Sequence, residues 1–196
     1  LKHNPESTDA HLRLSEIYRV QENLDPALQE IRKAIRIDPR QAQLYVQLGT
    51  LQRALADNLE AELSFKEALK IDPKFTPAVQ SLATLYEDSG RISDAEMQLR
   101  EGIELDPNRL ELRKSLAQLY HSEQRDREAE QVILDAKRQL GSKADNYRVL
   151  GEYYKNIGET DKALAEFATI SNEHPADLNT REDYIRLLLS HNETEK

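Results

Sequence analysis

Five copies of one arrangement of side chains stand 34 residues apart along this chain, and that period restricts the fold more than any other property. Leu14, Leu48, Leu82, Leu116 and Leu150 are in phase, each followed by a small residue: Ser15, Gly49, Ala83, Ala117 and Gly151. Three positions on stand Tyr18, Gln52, Tyr86, Tyr120 and Tyr154. A second set comprises Ala27, Ala61, Ala95, Ala129 and Ala163, with Ile31, Phe65, Leu99, Ile133 and Phe167 four residues later. Ala34, Ala68, Gly102, Ala136 and Ile170 follow three beyond those. Spacings of three and four put each set on one helical stripe, so every unit holds two amphipathic helices. The motifs IRIDPR, LKIDPK and IELDPN end their units at Pro39, Pro73 and Pro107, where a residue without a backbone N–H closes a helix.

Small residues at matching points of two helices let the backbones approach, and the larger apolar side chains around them fill the crossing. Each unit is therefore read as an antiparallel pair. The expected start signals are a Ser93–Glu96 capping box, and Asp25–Pro26 as a cap followed by a first-turn proline. Gly90 and Gly158 are expected to break the chain between paired helices. A pair this short cannot bury its own apolar face and depends on stacking against the next. The fold class is thus all-α, a helical solenoid. Phase places the tyrosine series in the core of the pairs rather than on a ladder for stacking bases or sugars.

The stretches LGTLQ…AELSF…A…P, ATLY…AEMQL…P and LGEYY…ALAEF…P resemble the tetratricopeptide repeat, whose pattern is L-G-x-x-Y, then A-x-x-x-F, then A and P over 34 residues. Departures are Gln52 at a tyrosine place, Gly141 at the closing proline of the fourth unit, and Ile170 at a place otherwise small. The resemblance implies a right-handed superhelix with repeats at 8–41, 42–75, 76–109, 110–143 and 144–177. Residues 1–7 then read as the tail of a preceding repeat, and 178–196 as the first helix of a truncated sixth. On that reading the chain is a piece of a longer array, and Tyr184, Ile185, Leu187 and Leu188 present an apolar face that lacks its partner helix. Self-association through open repeat ends is one consequence. The plain repeats without cysteine resemble bacterial arrays used in secretion, envelope or polysaccharide assembly, in the cytoplasm or the periplasm.

Composition removes several function classes. A net charge of −9 supplies no cationic field for nucleic acid or an anionic membrane surface, so neither is expected as a partner. No apolar run approaches the roughly 18 residues of a membrane span, and direct membrane insertion is not expected. The absence of cysteine removes disulfides, thiolate nucleophiles and thiolate zinc sites. Neither G-x-x-x-x-G-K nor G-x-G-x-x-G occurs, and His3, His11, His121, His174 and His191 never fall in H-x-x-x-H or H-E-x-x-H spacing. His121 beside Glu123 reads as solvated surface. No nucleophile elbow is present. Catalytic residues, metal and cofactor are therefore all assigned as none. The triplet Asn192–Glu193–Thr194 matches a glycosylation acceptor, a pattern short enough to arise by chance.

In the family these units resemble, first helices line a concave groove that commonly holds an extended peptide or a partner helix. Carried over by place within the unit, the partner-binding candidates are Arg13, Glu16 and Arg19, then Gln47 and Arg53. The next units supply Ser81, Thr84, Glu87 and Asp88, then Lys114 and Gln118, then Arg148 and Glu152. Gln43, Val46 and Thr50 occupy further groove places in the second unit. The lysine and asparagine clamp of chaperone-tail receptors is absent, as is the asparagine ladder of O-linked sugar transferases. What remains is a mixed groove with a basic start at Arg13, Arg19 and Arg53 and an acidic patch at Glu87 and Asp88, which suits an acidic partner segment. The function expected is a noncatalytic protein–protein interaction scaffold that helps assemble a larger complex. The alternative is the substrate-recruiting region of an enzyme whose catalytic domain lies outside these residues.

Overall fold

The computed structural model describes residues 7–140 and 144–194. The elements are α1 (Thr8–Val20), α2 (Leu24–Ile37), α3 (Ala42–Ala54), α4 (Asn58–Ile71), α5 (Thr76–Asp88) and α6 (Ile92–Leu105). They continue as α7 (Leu110–Ser122), α8 (Asp126–Leu140), α9 (Ala144–Tyr147), α10 (Val149–Asn156), α11 (Thr160–Glu173) and α12 (Leu178–Thr194). The chain divides into two compact units, Leu1–Leu112 and Arg113–Lys196. In the first, α1 packs on α2, α3 on α4 and α5 on α6, while α2 meets α3 and α4 meets α5. In the second, α10 packs on α8 and α11, and α11 on α12. Short α9 and α10 flank Arg148, whose backbone is helical in φ and ψ.

Close approach within a pair is visible at two glycines. A Cβ on Gly49 would sit 2.6 Å from the Phe65 ring, and one on Gly151 would sit 2.8 Å from Phe167. The two phenylalanines thus stand opposite the two glycines, whereas units with leucine or isoleucine at the same place carry serine or alanine. Volume is conserved across the crossing, as a close-packed interior requires. Ala27, Ala61, Ala95, Ala129 and Ala163 are wholly buried.

The turn inside every pair is the same left-handed cap. Gly90 and Gly158 have φ of +71° and +81°, as expected, but Glu22, Ala56 and Gln124 adopt φ of +60°, +60° and +59° at the corresponding points. In each case the next residue donates its N–H back to the carbonyl five residues earlier: Asn23 to Tyr18, Asp57 to Gln52, Arg91 to Tyr86, Arg125 to Tyr120 and Glu159 to Tyr154, at 2.8–2.9 Å. These bonds satisfy carbonyls that the ending helix leaves unpaired. The side chain at the turn is therefore secondary to the backbone bonds, which hold even where glycine is absent.

Two start signals are corrected by this cap. Helix α6 opens at Ile92 with Arg91 in the cap position, and Glu96 accepts from Arg100 at 2.9 Å, so no Ser93–Glu96 box forms. The bond from Arg91 N–H to Tyr86 starts the helix two residues before Ser93 could cap it. Likewise α2 is capped at Asn23, and Pro26 is its third residue, where the missing N–H belongs to the unsatisfied first turn. Ser7 caps α1 by accepting from Ala10 N–H at 3.2 Å. Between pairs, the carboxylates of Asp38 and Asp72 accept the N–H groups of Arg40 and Lys74, so the residue before the proline locks the turn. Pro5, the tail at 1–6 and Gly141 lie outside the described residues, as do the side chains of Asp145 and of the Asn192–Thr194 triplet.

The tyrosine series lies in the core. Tyr86, Tyr120 and Tyr154 are buried and Tyr18 is half-buried. Tyr86 donates to Glu62 of the preceding pair at 3.1 Å, and Tyr154 donates to Glu130. Burial and the Glu130 bond push the Tyr154 hydroxyl well above its ordinary range. Gln52, which replaces a tyrosine, accepts instead from Ser64 within its own pair at 2.6 Å. Along α12, Ile185 is exposed while Tyr184, Leu187 and Leu188 are half-buried. Among the described residues no helix is long and apolar enough to cross a membrane.

Candidate interaction cleft

Helices α1 and α3 enclose a cleft of about 310 Å³, lined by Ser15, Glu16 and Arg19 on one side and Gln43, Val46, Gln47, Thr50 and Leu51 on the other. Three of the partner-binding candidates, Glu16, Arg19 and Gln47, are therefore brought together with three further expected groove residues, Gln43, Val46 and Thr50. Val46 and Leu51 form a buried apolar floor. Ser15 is turned away, donating to the Ala27 carbonyl at 2.9 Å, and Thr50 donates to the Val46 carbonyl at 2.8 Å. Gln43 and Gln47, one helical turn apart and half-buried, have no hydrogen-bond partner among the described residues.

The basic start expected of the groove is not a bare cationic patch. Arg19 grips Glu16 with two hydrogen bonds, 2.8 Å from Nε and 2.5 Å from Nη2. Those bonds hold the Glu16 carboxyl below the usual carboxylate range and raise Arg19 in turn. Arg53 pairs with Asp88 at 3.6 Å, so one member of the expected basic set neutralises one member of the expected acidic patch. Arg13 is exposed on α1 and does not line the cleft. An (i, i+3) spacing makes the Glu16–Arg19 pair readable in sequence, whereas Arg53 and Asp88 meet only because α3 and α5 are neighbours. Ser81 and Glu87 are half-buried on α5, Thr84 and Gln118 are exposed on α5 and α7, and none of the four lines the α1/α3 cleft.

In the second unit the candidates meet one another. Lys114 reaches Glu152 at 3.0 Å, and Arg148 lies 3.9 Å from the other oxygen of Glu152. Arg148 also donates to Asp183, which accepts from Lys155 at 3.3 Å. The Arg148 side chain is only 13 % exposed. Asp183 was not among the candidates, although it stands 34 residues after Val149 and so shares a groove place; the signal was its phase. Beside this ladder, Asp177 accepts from Tyr147 at 2.8 Å and from Thr180 at 2.5 Å. Although burial opposes ionisation, those bonds and the Arg148 charge hold Asp177 down at about 2.

Two histidines have carboxylate partners. His121 meets Asp126 at 2.6 Å rather than Glu123, and His11 is buried with Glu30 at 2.6 Å, a pairing across 19 residues that no local spacing marks. Among the described residues no group of three or more histidines and carboxylates is arranged to hold a metal.

The left-handed cap recurs at five turns, glycine faces phenylalanine at two crossings, and tetratricopeptide repeat family models match residues 1–42, 42–75 and 81–145. The chain belongs to the tetratricopeptide repeat family. Repeats of this family are in general noncatalytic protein–protein interaction modules. Among solved structures, the chain is similar to pilF of Pseudomonas aeruginosa, with 21% identity over 95% of this chain and 85% of that one, and a TM-score of 0.60. A thermophilic repeat protein of Thermus thermophilus matches at 22% identity, over 93% of this chain and all of that one, with a TM-score of 0.58. YrrB, described as having an unusual peptide-binding site, matches at 20% identity, 93% and 94% coverage and a TM-score of 0.53. At these identities the likeness establishes the fold. No curated protein matches the chain.

Proposed function

We propose that this chain is a noncatalytic interaction scaffold that holds a segment of a partner protein along its first helices and so helps assemble a larger complex. The observation that carries this reading is the α1/α3 cleft, which combines an apolar floor at Val46 and Leu51 with polar walls from Glu16, Arg19, Gln43 and Gln47. A concave site of that composition, apolar with a few convergent polar groups, suits a bound segment. The likeness to YrrB, which has a peptide-binding site, lends support. Recurrence of the left-handed turn at residues 22, 56, 90, 124 and 158 supports a division into repeats at 8–41, 42–75, 76–109, 110–143 and 144–177.

Site-specific photo-cross-linking tests the proposal. A photoreactive side chain at Gln47 should form an adduct with one partner in cells of the source organism, and mass spectrometry should map it to a single segment. The same group at Lys66, which lines a separate depression between α4 and α6, should not. Adducts at Lys66 without adducts at Gln47 would move the binding surface to the second helices and defeat the reading.

A further inference from the structure

The identity of the bound segment can be narrowed from which polar groups in the cleft are already used. Arg19 and Glu16 satisfy each other, so the cleft wall carries a closed ion pair and offers little net charge. Thr50 and Ser15 spend their hydroxyl protons on backbone carbonyls. What is left is a pair of side-chain amides, Gln43 and Gln47, without partners among the described residues and flanking the buried Val46. A primary amide donates and accepts at once, which matches the N–H and C=O of one residue of a peptide backbone. Four residues of α-helix rise about 6 Å, and alternate residues of an extended chain repeat at about 6.6 Å, with their backbone groups on the same edge. Two glutamines one turn apart can therefore engage every second residue of an extended segment.

We infer that the α1/α3 cleft recognises the backbone of an extended, uncharged segment through Gln43 and Gln47, with a small apolar side chain seated on Val46, and does not select an acidic segment. This rests on the reading of the cleft as the partner site and replaces the acidic partner that the arginines alone suggest. Charge enters only if the Glu16–Arg19 pair opens, and an incoming carboxylate would have to displace a bidentate one. Binding should accordingly depend weakly on salt.

Three pools of randomised octapeptides, acetylated and amidated at their ends, supply the probe. One pool is drawn from Ala, Val, Ser, Thr, Gln and Gly, the second adds Asp and Glu, and the third adds Lys and Arg. Peptides retained by the whole chain on gel filtration are identified by mass spectrometry and titrated individually. The neutral pool should be enriched. Its best member should lose about thirtyfold or more in affinity on Gln43→Ala/Gln47→Ala, four hydrogen bonds' worth, and change little on Glu16→Gln/Arg19→Gln. N-methylation at alternate peptide residues should weaken it too, because only backbone recognition requires those protons. Circular dichroism and melting curves check that the variants stay folded. Enrichment of the acidic pool with loss on Arg19→Gln would overturn the inference while leaving the cleft as the site. Retention from no pool, or binders indifferent to Thr50→Arg placed across the cleft, would overturn the reading beneath it as well.

Discussion

The α1/α3 cleft and the charged ladder around α10 use corresponding first-helix places in opposite ways. In the cleft, Glu16 and Arg19 close on each other within one helix and leave Gln43 and Gln47 unengaged. Around α10, Lys114, Arg148, Glu152, Lys155 and Asp183 join side chains of α7, α10 and α12 to one another. The first arrangement leaves a polar surface open to a ligand; the second spends the same kind of surface on holding neighbouring helices together. A shared place in the repeat thus does not imply a shared role. What separates them is whether the next helix supplies a countercharge.

Both regions sit on helix pairs in which glycine faces phenylalanine, and the largest expected effect tests whether that packing is the same in each. Gly49→Ala and Gly151→Ala each drive a methyl into a phenylalanine ring, so each should destabilise by about 1 to 3 kcal/mol in thermal or urea unfolding. Phe65→Leu should restore much of the loss in the first case. If only one glycine responds, the two regions differ in packing and not merely in surface chemistry.

Asp183→Ala should come next, costing about 1.5 to 3 kcal/mol because it leaves the largely buried Arg148 without its main partner. Glu16→Gln, which removes half of an exposed (i, i+3) pair, should cost no more than about 0.5 kcal/mol. Equal costs would erase the distinction between a structural ladder and a binding wall. Acid should expose the same contrast. The Asp177 carboxyl is held at about 2 against an ordinary 3.8, so its contribution is complete above about pH 4 and is lost as the pH falls toward 2. Melting temperature should therefore fall more steeply with acid in the native chain than in Asp177→Asn, and parallel curves would show that the carboxylate is not stabilised by folding.

The smallest effects sharpen the common scaffold. Ala56→Gly in the first unit and Gln124→Gly in the second relieve a left-handed backbone and should each stabilise by about 0.5 to 1 kcal/mol. Matching gains would confirm that the backbone turns are equivalent and that the two regions diverge in their side chains. A loss in either would mean that its side chain contributes more than the strain it carries.

Much of the fold was legible because its causes are local and repeated. Leucine, alanine and small-residue periodicity marks both helices of each pair, and small residues at matching points mark where they come close. The left-handed residues at Glu22, Ala56 and Gln124 were not legible, since nothing about those side chains favours positive φ. Helix starts at Leu24 and Ile92 were missed for the same reason: backbone bonds from the turn set them, overruling the Ser93–Glu96 signal. Glu16, Arg19 and Gln47 were named by place, but the basic start assigned to Arg13, Arg19 and Arg53 left out the bonds by which Arg19 closes on Glu16.

A 34-residue period in one chain determined that it would form stacked helix pairs, because only side chains returning in phase can bury one another from unit to unit. It also determined which side chains share a place within the unit, since that follows from phase alone. Only tertiary structure decided which of those side chains remain available. Arg53 meets Asp88 and Arg148 meets Asp183 across 35 residues of sequence, and a Coulomb interaction depends on distance in space, which a linear pattern does not contain.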